Sequence, residues 1–506
     1  MRPSPVNPLI LLAIVATTGT SGLRQDERGS GLVIRGGDVV DGTGVPAVRA
    51  DVRVRGGLIV EVGPGLRPDG ERVLEVSGLT VAPGFIDTHS HADRGIDQAP
   101  DATSQLMQGI TTAIVGQDGG GRLPVHEFFE TLERQRPAIN FATAVGHGSV
   151  RSLVLGSDFR RKATNAEIET MQAIVDRAMS DGAIGLSSGL EYDPGHYAAP
   201  AELEALAAVV ARHGGAYFSH VRDEEKEAFE AWAEAIAVGR KTGIPVTISH
   251  IKLAAKPVWG RATQAVQLLE RARRDGVRVM ADWYPYTYWQ SSIYVLIPDR
   301  DFKNREKWTL GLDEIGGARN VLVTGYRPDP SVNGRTLDEI ARQRNIDPVT
   351  LIIEMVDAAG PNIGIIGTSM DEADLQVFAA HPQVLVCSDG SLRGVHPRGY
   401  GAFPRVLARY VRERRTLSLP EAIAKMTGRS AAHLGLNDRG ILARGRKADI
   451  VIFDAATIQD RGTPQDPSQP PEGVAHVIVN GEVTLERGRV TAARAGRGLP
   501  RGRDAR

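Results

Sequence analysis

The stretch Val81-Ala-Pro-Gly-Phe-Ile-Asp-Thr-His-Ser-His-Ala-Asp93 reads as a short apolar strand that ends in two histidines one residue apart. Residues i and i+2 of a strand face the same side, so His89 and His91 are predicted to point together. Neutral imidazole is a common zinc ligand, and two rings on one face form half of a metal site. An isolated His-x-His is more often a pair of polar residues leaving a strand, so the downstream residues decide between these interpretations.

Strand-like and helical segments alternate about eight times over residues 83–437. This repetition predicts an α/β fold with a parallel sheet, and eight units predict a TIM barrel whose active site lies at the carboxyl ends of the strands. The predicted strand ends are the segments 87–89, 113–117, 143–147, 184–191, 216–220, 246–250, 279–282 and 384–389. About 100 residues separate the last two segments, which predicts an inserted helical lid at about residues 290–375.

Short alternating strands occur near both ends of the chain, in residues 31–82 and 438–490. Strands this short need partners, so we expect one small β-sandwich built from both termini. The arginine-rich residues 491–506 are predicted to form a solvated basic tail. An apolar run at residues 8–16 predicts a signal peptide, followed by a linker, within residues 1–30. We therefore expect a periplasmic or secreted protein, the alternative being a disordered tail on a cytoplasmic one.

The composition gives no indication of a macromolecular partner. The 60 basic and 61 acidic residues leave a formal charge of -1, which does not favour binding to nucleic acid. The single cysteine, Cys387, excludes an intrachain disulfide. No apolar run approaches the ~20 residues that span a bilayer. The oligomeric state stays open.

Two further histidines end successive predicted strands, and a serine precedes each of them. They are His220 and His250, at strands five and six, and Asp389 ends strand eight. Burying such histidines unpaired would cost several kcal/mol in total, so a metal site is favoured over a structural role. A His-x-His, two single histidines and a final aspartate resemble the ligand pattern of the amidohydrolase superfamily.

Longer segments resemble the D-aminoacylase (N-acyl-D-amino-acid deacylase) family within that superfamily, over about residues 31–490. These segments include Gly182–Leu190, Tyr217–Glu224, Ile248–Lys252, Asp282–Tyr286, Ser388–Gly390 and His396–Arg405. The resemblance implies a small-molecule substrate, an N-acyl-D-amino acid, whose acyl group is removed with the help of one or two Zn²⁺ ions. It also implies a barrel of the amidohydrolase type.

Other functions would use the same metal site. A cyclic amidase of the hydantoinase or dihydropyrimidinase type and a dipeptidase are the enzyme alternatives. A carboxylated lysine on strand four would favour the cyclic amidase, and the sequence has no lysine there. A catalytically inactive binding protein is a further alternative, which is disfavoured because all five ligand positions of the superfamily pattern are present.

The chain departs from the family at one metal ligand. D-aminoacylases commonly supply a cysteine after strand two, in the context Val-Gly-Asn-Cys-Gly, and this chain reads Val115-Gly-Gln-Asp-Gly-Gly120. Cys387 is a poor substitute, because it lies two residues before the end of strand eight and so one layer deeper in the barrel.

Two carboxylates could fill this vacancy. Asp118 lies in the loop after strand two, and Glu191 ends strand four, where other amidohydrolases place a bridging ligand. We predict Glu191 as the metal ligand, with Gln117 or Asp118 as hydrogen-bonding neighbours. The alternative is a mononuclear site formed through His220 and His250.

The predicted ligand set determines the predicted chemistry. Zinc held by imidazoles lowers the pKa of bound water and polarises a carbonyl group. Asp389 is predicted to take the proton of the attacking water and to pass it to the leaving amine. His147 ends strand three and is predicted to face the same mouth, where it could donate to the developing oxyanion. A structural histidine is equally compatible with that position.

A deacylase of amino acids must also bind the α-carboxylate. By resemblance, the family's carboxylate-binding positions correspond to Lys252, Tyr284, Arg398 and either Ser291 or Ser292. Arginine can bind a carboxylate through two parallel hydrogen bonds. Arg222 and Glu224 follow the histidine of strand five on the same face and are predicted to form an orienting ion pair.

Overall fold

The structure is a computed structural model that describes residues 31–502. The predicted signal peptide and linker fall in residues 1–30, which lie outside the described residues together with residues 503–506. Within the described part, no helix is both long and apolar enough to cross a membrane.

Parallel strands form a closed barrel at the centre of the described chain. Barrel strands one to eight are Phe85–Asp87, Ile110–Val115, Asn140–Thr143 (continued by Val145–Gly146), Gly185–Gly189, Ala216–His220, Val246–Ile248, Val279–Trp283 and Val384–Val386. Consecutive strands are neighbours in space and run parallel. Strand eight meets strand one where the Asp389 amide donates to the His89 carbonyl at 2.9 Å and the His91 amide donates to the Gly390 carbonyl at 2.8 Å. The predicted barrel is confirmed.

Helices cover the outside of the barrel in chain order. They are Thr103–Leu106, Val125–Gln135, His147–Leu155, Asn165–Ser180, Pro200–Arg212, Ala228–Thr242, Ala262–Arg274, Glu372–Ala380, Arg398–Arg405 (continued by the π-helix Val406–Glu413), Leu419–Met426 and Gly428–Leu434. Capping residues explain where some of them begin: Thr164 accepts from the Glu167 amide, and the Glu167 carboxylate accepts from the Thr164 amide. Most barrel strands are buried and apolar because helices cover their outer face.

Both ends of the described chain contribute to one mainly antiparallel sheet beside the barrel. Its strands are Gly31–Val39, Val48–Arg55, Leu58–Gly63, Arg72–Glu75, Thr80–Pro83, Ile450–Phe453, Val474–Val479, Glu482–Glu486 and Arg489–Val490. The two halves join where Thr80–Pro83 pairs with Ile450–Phe453. A separate apolar cluster, which includes Ile34, Val52 and Ile450, holds them together. The predicted assembly from both ends is confirmed, and it forms a single continuous sheet.

The long connection before barrel strand eight forms a small α/β insertion. It contains the strands Tyr288–Ser292, Val321–Gly325 and Gly364–Thr368 and the helices Arg305–Glu314, Leu337–Arg344 and Pro348–Ala359. The strand Gly364–Thr368 lies in the middle and pairs antiparallel with the other two. The predicted lid is helical only in part, because short apolar segments of the insertion pair as strands. Gln290, Ser291 and Asn362 of the insertion line a pocket at the barrel mouth.

Residues 491–502 do not form the predicted solvated tail. The Gly496 amide donates to the Pro137 carbonyl at 2.9 Å, so this segment lies against the barrel. Glycine permits the close approach, since a Cβ at this position would lie 2.0 Å from the Ile139 carbonyl oxygen. The Arg501 guanidinium also donates to the His213 carbonyl, so both glycine and arginine residues hold this segment against the barrel.

Candidate metal centre and active site

Side chains with metal-binding atoms meet at the carboxyl ends of the barrel strands. They are His89 and His91 after strand one, Asp118 after strand two, His220 at strand five, His250 after strand six and Asp389 after strand eight. The histidines and Asp389 are buried, and Asp118 is half-buried. The structure thus brings together all of the predicted ligands except Glu191, and it adds Asp118.

The Asp118 carboxylate lies between the four imidazoles. Its Oδ1 atom is 3.2 Å from His89 Nε2, 3.4 Å from His250 Nε2 and 3.7 Å from His220 Nδ1. Its Oδ2 atom is 3.0 Å from His91 Nε2. A carboxylate that presents both oxygens to surrounding imidazoles would supply donor atoms for bound metal on either side.

Several buried polar atoms of this cluster have no hydrogen-bond partner in the described part of the chain. Neither ring nitrogen of the fully buried His89 forms a hydrogen bond, because the 3.2 Å approach of Nε2 to Asp118 Oδ1 lacks hydrogen-bond geometry. The Oδ1 atom of Asp389 is also unpartnered, since its 3.3 Å approach to His91 Nε2 lacks hydrogen-bond geometry. Buried polar atoms are normally paired, and imidazole and carboxylate are zinc donors. These residues therefore fit a bound metal.

The donor atoms fall into two overlapping groups, each with its atoms within 4.8 Å of one another. The first group consists of His89, Asp118, His250 and Asp389, and the second of His220, Glu224 and His250. His250 belongs to both groups, and its Nε2 atom is 3.0 Å from His220 Nδ1. This donor set has the composition and the extent for one or two zinc ions.

Glu191 does not occupy the position predicted for it. Its Oε2 atom is 2.8 Å from His220 Nε2, the ring nitrogen opposite the one that approaches Asp118. Burial, together with the nearby Glu224, raises the pKa of Glu191 to about 8, so its acid form can donate to that nitrogen. Glu191 therefore orients His220 from outside the cluster, and Asp118 supplies the central carboxylate.

Asp118 reaches its position through the backbone of its loop. Gly116 has a φ of 73°, and a Cβ there would lie 2.3 Å from the Ala144 carbonyl oxygen, so the turn requires glycine. Asp118 has a φ of 55°, a conformation that aspartate adopts more readily than most residues. In the segment Val115–Gly119, Asp118 stands where the D-aminoacylase pattern has its cysteine. That correspondence is the sequence signal that identifies this ligand.

Left-handed backbone recurs within the cluster. Besides Asp118, His250 has a φ of 35° and Asp389 a φ of 50°. Such a conformation at a non-glycine residue costs roughly 1–3 kcal/mol and is concentrated at functional sites. The His250 amide donates to Asp282 Oδ1 at 2.6 Å, and the Asp389 amide is held by the strand-one carbonyl described above. The barrel backbone therefore fixes the direction of these side chains before any ligand binds.

A pocket of about 380 Å³ opens beside the cluster. The predicted substrate-binding residues all line it: Lys252, Tyr284, Ser291 and Arg398. Arg398 Nη1 forms a salt bridge with Asp389 Oδ2 at 2.6 Å, and the Arg398 Cζ atom is 4.9 Å from the centre of the Tyr284 ring. The buried Tyr284 hydroxyl has no partner in the described residues. An unpartnered phenol beside a buried guanidinium is suited to bind an anionic group.

The predicted ion pair between Arg222 and Glu224 is not formed. Arg222 Nε donates to Glu234 Oε2 at 3.0 Å, because the chain has left strand five and strand alternation no longer applies. Glu224 instead accepts from Lys252 Nζ at 2.6 and 2.7 Å. Burial would lower the pKa of Lys252, but Glu224 raises it, so Lys252 keeps its charge. Glu224 Oε1 also lies 3.0 Å from His250 Nδ1 and connects the metal cluster to the substrate side.

His147 lies outside this pocket. It is the first residue of the helix His147–Leu155, and its buried Nε2 atom is 2.8 Å from Glu202 Oε1. The other Glu202 oxygen accepts from the buried Arg151 guanidinium. Because the helix begins at His147, its side chain packs toward the helix Pro200–Arg212 and not toward the mouth. This position is incompatible with the predicted contact to an oxyanion and matches the structural alternative.

Replacement of Glu202 by glutamine should lower the free energy of unfolding at pH 7 by about 3 kcal/mol, because it leaves Arg151 buried without its counter-charge. Burial alone would raise the pKa of Glu202, but His147 and Arg151 hold it below its usual 4.5. The stabilisation is therefore complete above about pH 4.5 and is lost as the pH falls through the folded-state pKa. The difference between the urea midpoints of wild type and variant should be the same at pH 7 and at pH 5, and it should shrink as the pH falls below 5. Glu169→Gln, at an exposed site, is the control; an equal midpoint shift there would contradict the prediction.

Comparison with known proteins places these observations in a family. The sequence profile described as "Amidohydrolase family" matches residues 72–485. An N-acyl-D-glutamate deacylase of Alcaligenes xylosoxydans xylosoxydans is 38% identical over 474 residues, which cover 89% of this chain and 92% of that protein.

Solved structures agree with the sequence comparison. The N-acyl-D-glutamate deacylase from Bordetella bronchiseptica, complexed with zinc and a phosphonate inhibitor, superposes with a TM-score of 0.83 at 36% identity, covering 93% of this chain and 99% of that one. A D-aminoacylase studied for its binuclear metal centre superposes with a TM-score of 0.83 at 34% identity and the same coverage. The protein is therefore a member of the amidohydrolase family and belongs to its D-aminoacylase group.

Proposed function

We propose that this protein is a zinc-dependent hydrolase that removes the acyl group from N-acyl-D-amino acids. The observation that carries the proposal is the carboxylate-centred imidazole cluster, which lies beside a pocket with a paired aspartate and arginine. The aspartate supplies the proton chemistry and the arginine supplies the anion recognition. The relatives named above are deacylases of the same substrate class.

The residues of the cluster would hold the metal. They are His89, His91, Asp118, His220, His250 and Asp389. When bound there, zinc would polarise the scissile carbonyl group and lower the pKa of water. Glu191 and Glu224 hold the outer nitrogens of His220 and His250, at 2.8 and 3.0 Å, which fixes the orientation of both rings.

Asp389 is the candidate for proton transfer. Its carboxylate lies at the end of strand eight, with Oδ2 held by Arg398 and Oδ1 free of hydrogen bonds in the described residues. The carboxylate can accept the proton of the attacking water while the new bond to the carbonyl carbon forms. The same proton then goes to the amide nitrogen as the carbon–nitrogen bond breaks, so the amine leaves neutral.

Arg398, Tyr284 and Lys252 would bind the substrate's α-carboxylate. Arg398 and Tyr284 meet on one wall of the pocket, and the Lys252 ammonium lies 5.7 Å from the centre of the Tyr284 ring. Ser291 lines the same pocket from the insertion. A site for a free carboxylate favours a linear N-acyl amino acid over a cyclic amide. In addition, barrel strand four, Gly185–Gly189, contains no lysine that could be carboxylated.

The proposal is tested by removing and restoring the metal. The full chain, stripped of metal by a chelator and dialysed, should lose hydrolysis of N-acetyl-D-amino acids and regain it with added zinc. The N-acetyl-L-enantiomers are the matched control, and kcat/KM for them should be at least about 100-fold lower. Release of the free amino acid and bound zinc are measured together. Turnover of hydantoins without turnover of N-acetyl-D-amino acids would refute the deacylase assignment.

A further inference from the structure

A second cavity lies next to the catalytic pocket. It has a volume of about 1030 Å³ and runs between the helices Val125–Gln135, His147–Leu155 and Asn165–Ser180. Its apolar lining, called the acyl groove below, consists of Leu123, Pro124, Val125, Leu153, Ala173 and Ile174. The Leu153 side chain is 67% exposed and forms part of this open apolar surface.

The acyl groove adjoins the catalytic pocket. Asp118 and Tyr192 line both cavities. Asp118 is the central carboxylate of the metal cluster, and the Tyr192 ring lies 4.4 Å from the ring of His220, centre to centre. A substrate group would have to extend past the Tyr192 ring to reach the acyl groove from the metal cluster.

The orientation of the substrate sends the acyl group in this direction. The candidate carboxylate-binding residues follow barrel strands six, seven and eight: Lys252, Tyr284 and Arg398. The acyl groove is built from segments that follow strands two, three and four. In a closed barrel with strands in chain order, these two sets lie on opposite sides of the mouth. With the amino acid bound on one side, the acyl group points to the other.

The chemistry of the acyl groove favours an uncharged, apolar occupant. Arg177 and Asp181 also line the cavity, but they pair with each other, with Arg177 Nε 3.0 Å from Asp181 Oδ1. This pair leaves little net charge at that end of the cavity. Two further carboxylates line it: Asp118 belongs to the metal cluster, and Asp193 Oδ1 lies 3.5 Å from Arg300 Nη2. The other lining residues are mostly aliphatic or glycine, with hydroxyl groups at Ser149, Ser152 and Tyr192. An extended hydrocarbon chain fits this surface, and a charged or strongly polar acyl group does not.

We propose that the acyl groove binds the unbranched hydrocarbon chain of N-fatty-acyl D-amino acids, from octanoyl to decanoyl. The inference rests on the proposed deacylase function and names the acyl half of its substrate. The acetyl group of a short substrate ends before the acyl groove and gains nothing from it. Each methylene of a longer chain that binds in the groove is removed from water. Because the groove is open on one side, about half of the transfer free energy of a fully buried methylene is expected.

The test is a chain-length series on the zinc-loaded full chain. N-acetyl, N-butyryl, N-octanoyl and N-decanoyl derivatives of one D-amino acid are compared by kcat/KM. We expect a gain of about 2-fold per methylene, or roughly 60-fold from acetyl to octanoyl. Ala173→Trp fills the acyl groove from an exposed helix position and should lower the octanoyl-to-acetyl ratio by about 10-fold.

A matched tryptophan substitution controls for effects unrelated to the acyl groove. Ala237 is equally exposed, on the helix Ala228–Thr242, and Ala237→Trp should leave the chain-length ratio unchanged. Equal kcat/KM for acetyl and octanoyl substrates would refute binding of the acyl chain in the acyl groove and would leave the deacylase function intact. If Ala173→Trp changes only the oligomeric state, the surface joins copies of the chain and the inference falls. No turnover of any N-acyl-D-amino acid, acetyl included, would refute the proposed function itself.

Discussion

Replacing Asp118 with alanine should remove at least one zinc ion and lower kcat/KM by about 10³-fold, which corresponds to roughly 4 kcal/mol of transition-state stabilisation. The reason is geometric, since this carboxylate approaches all four imidazoles at 3.0 to 3.7 Å. Without it, His89 Nε2 and His250 Nε2 lose the carboxylate oxygen that lies 3.2 and 3.4 Å from them. Bound zinc and N-acetyl-D-amino acid turnover are measured on the same preparations.

A second substitution makes this prediction specific. Asp118→Cys restores an anionic ligand of a type that zinc binds strongly, so it should keep the metal and recover most of the activity lost in Asp118→Ala. Glu191→Gln is the contrasting variant, because Glu191 touches only the outer nitrogen of His220. This variant should bind the same number of zinc ions as the wild type, but with an affinity about 10- to 100-fold lower. If Glu191→Gln loses a zinc ion and Asp118→Ala does not, the bridging ligand is on strand four.

Replacing Asp389 with asparagine should lower kcat by about 10³-fold and change KM by only a few-fold, since general acid–base groups contribute 10²–10⁴ to rate. Asparagine preserves the size of the side chain and an oxygen ligand for metal, but it cannot accept the proton of water. The salt bridge from Arg398 Nη1 to Asp389 Oδ2, at 2.6 Å, holds the carboxylate in place in the wild type. Steady-state kinetics with verified zinc content separate this loss from loss of metal.

Asp97→Asn provides the matched control for Asp389→Asn. Asp97 is also paired with an arginine, Arg122, at 2.8 Å, but it is exposed and outside the pocket. Its replacement should leave kcat within about 2-fold of wild type, as expected for an exposed ion pair. A zinc-loaded Asp389→Asn protein that keeps a tenth or more of wild-type kcat would show that another group transfers the proton.

The ends of the barrel strands were predictable from sequence because strand geometry is regular. His89 and His91 follow a two-residue period, and His220 ends a strand that reads as an apolar run. Parallel strands place their carboxyl ends on one face, so the convergence of these residues follows from the fold class alone. The same regularity locates Asp389 after strand eight.

The other site residues are positioned by geometry that the two-residue period of a strand does not describe. Asp118 enters the cluster through positive φ angles in its loop, which alternation rules do not describe. His147 is turned away because a helix begins at that residue. The Lys252–Glu224 pair joins residues 28 positions apart, and the choice of partner is made by the packing of adjacent strands. The strands of the insertion likewise required partners that only the folded structure identifies.

The metal centre lies at the junction of the first and last barrel strands, so metal binding is coupled to the formation of that junction. The Ser388 amide donates to Asp87 Oδ1 at 2.7 Å, and the two residues are 301 positions apart in the sequence. The proposed metal ligands lie next to this contact: His89 is two residues after Asp87, and Asp389 directly follows Ser388. Contacts of such long separation close large loops and form slowly. A metal that binds only the joined strands stabilises them by mass action. We therefore expect bound zinc to slow the unfolding and proteolysis of this chain, in addition to supporting its activity.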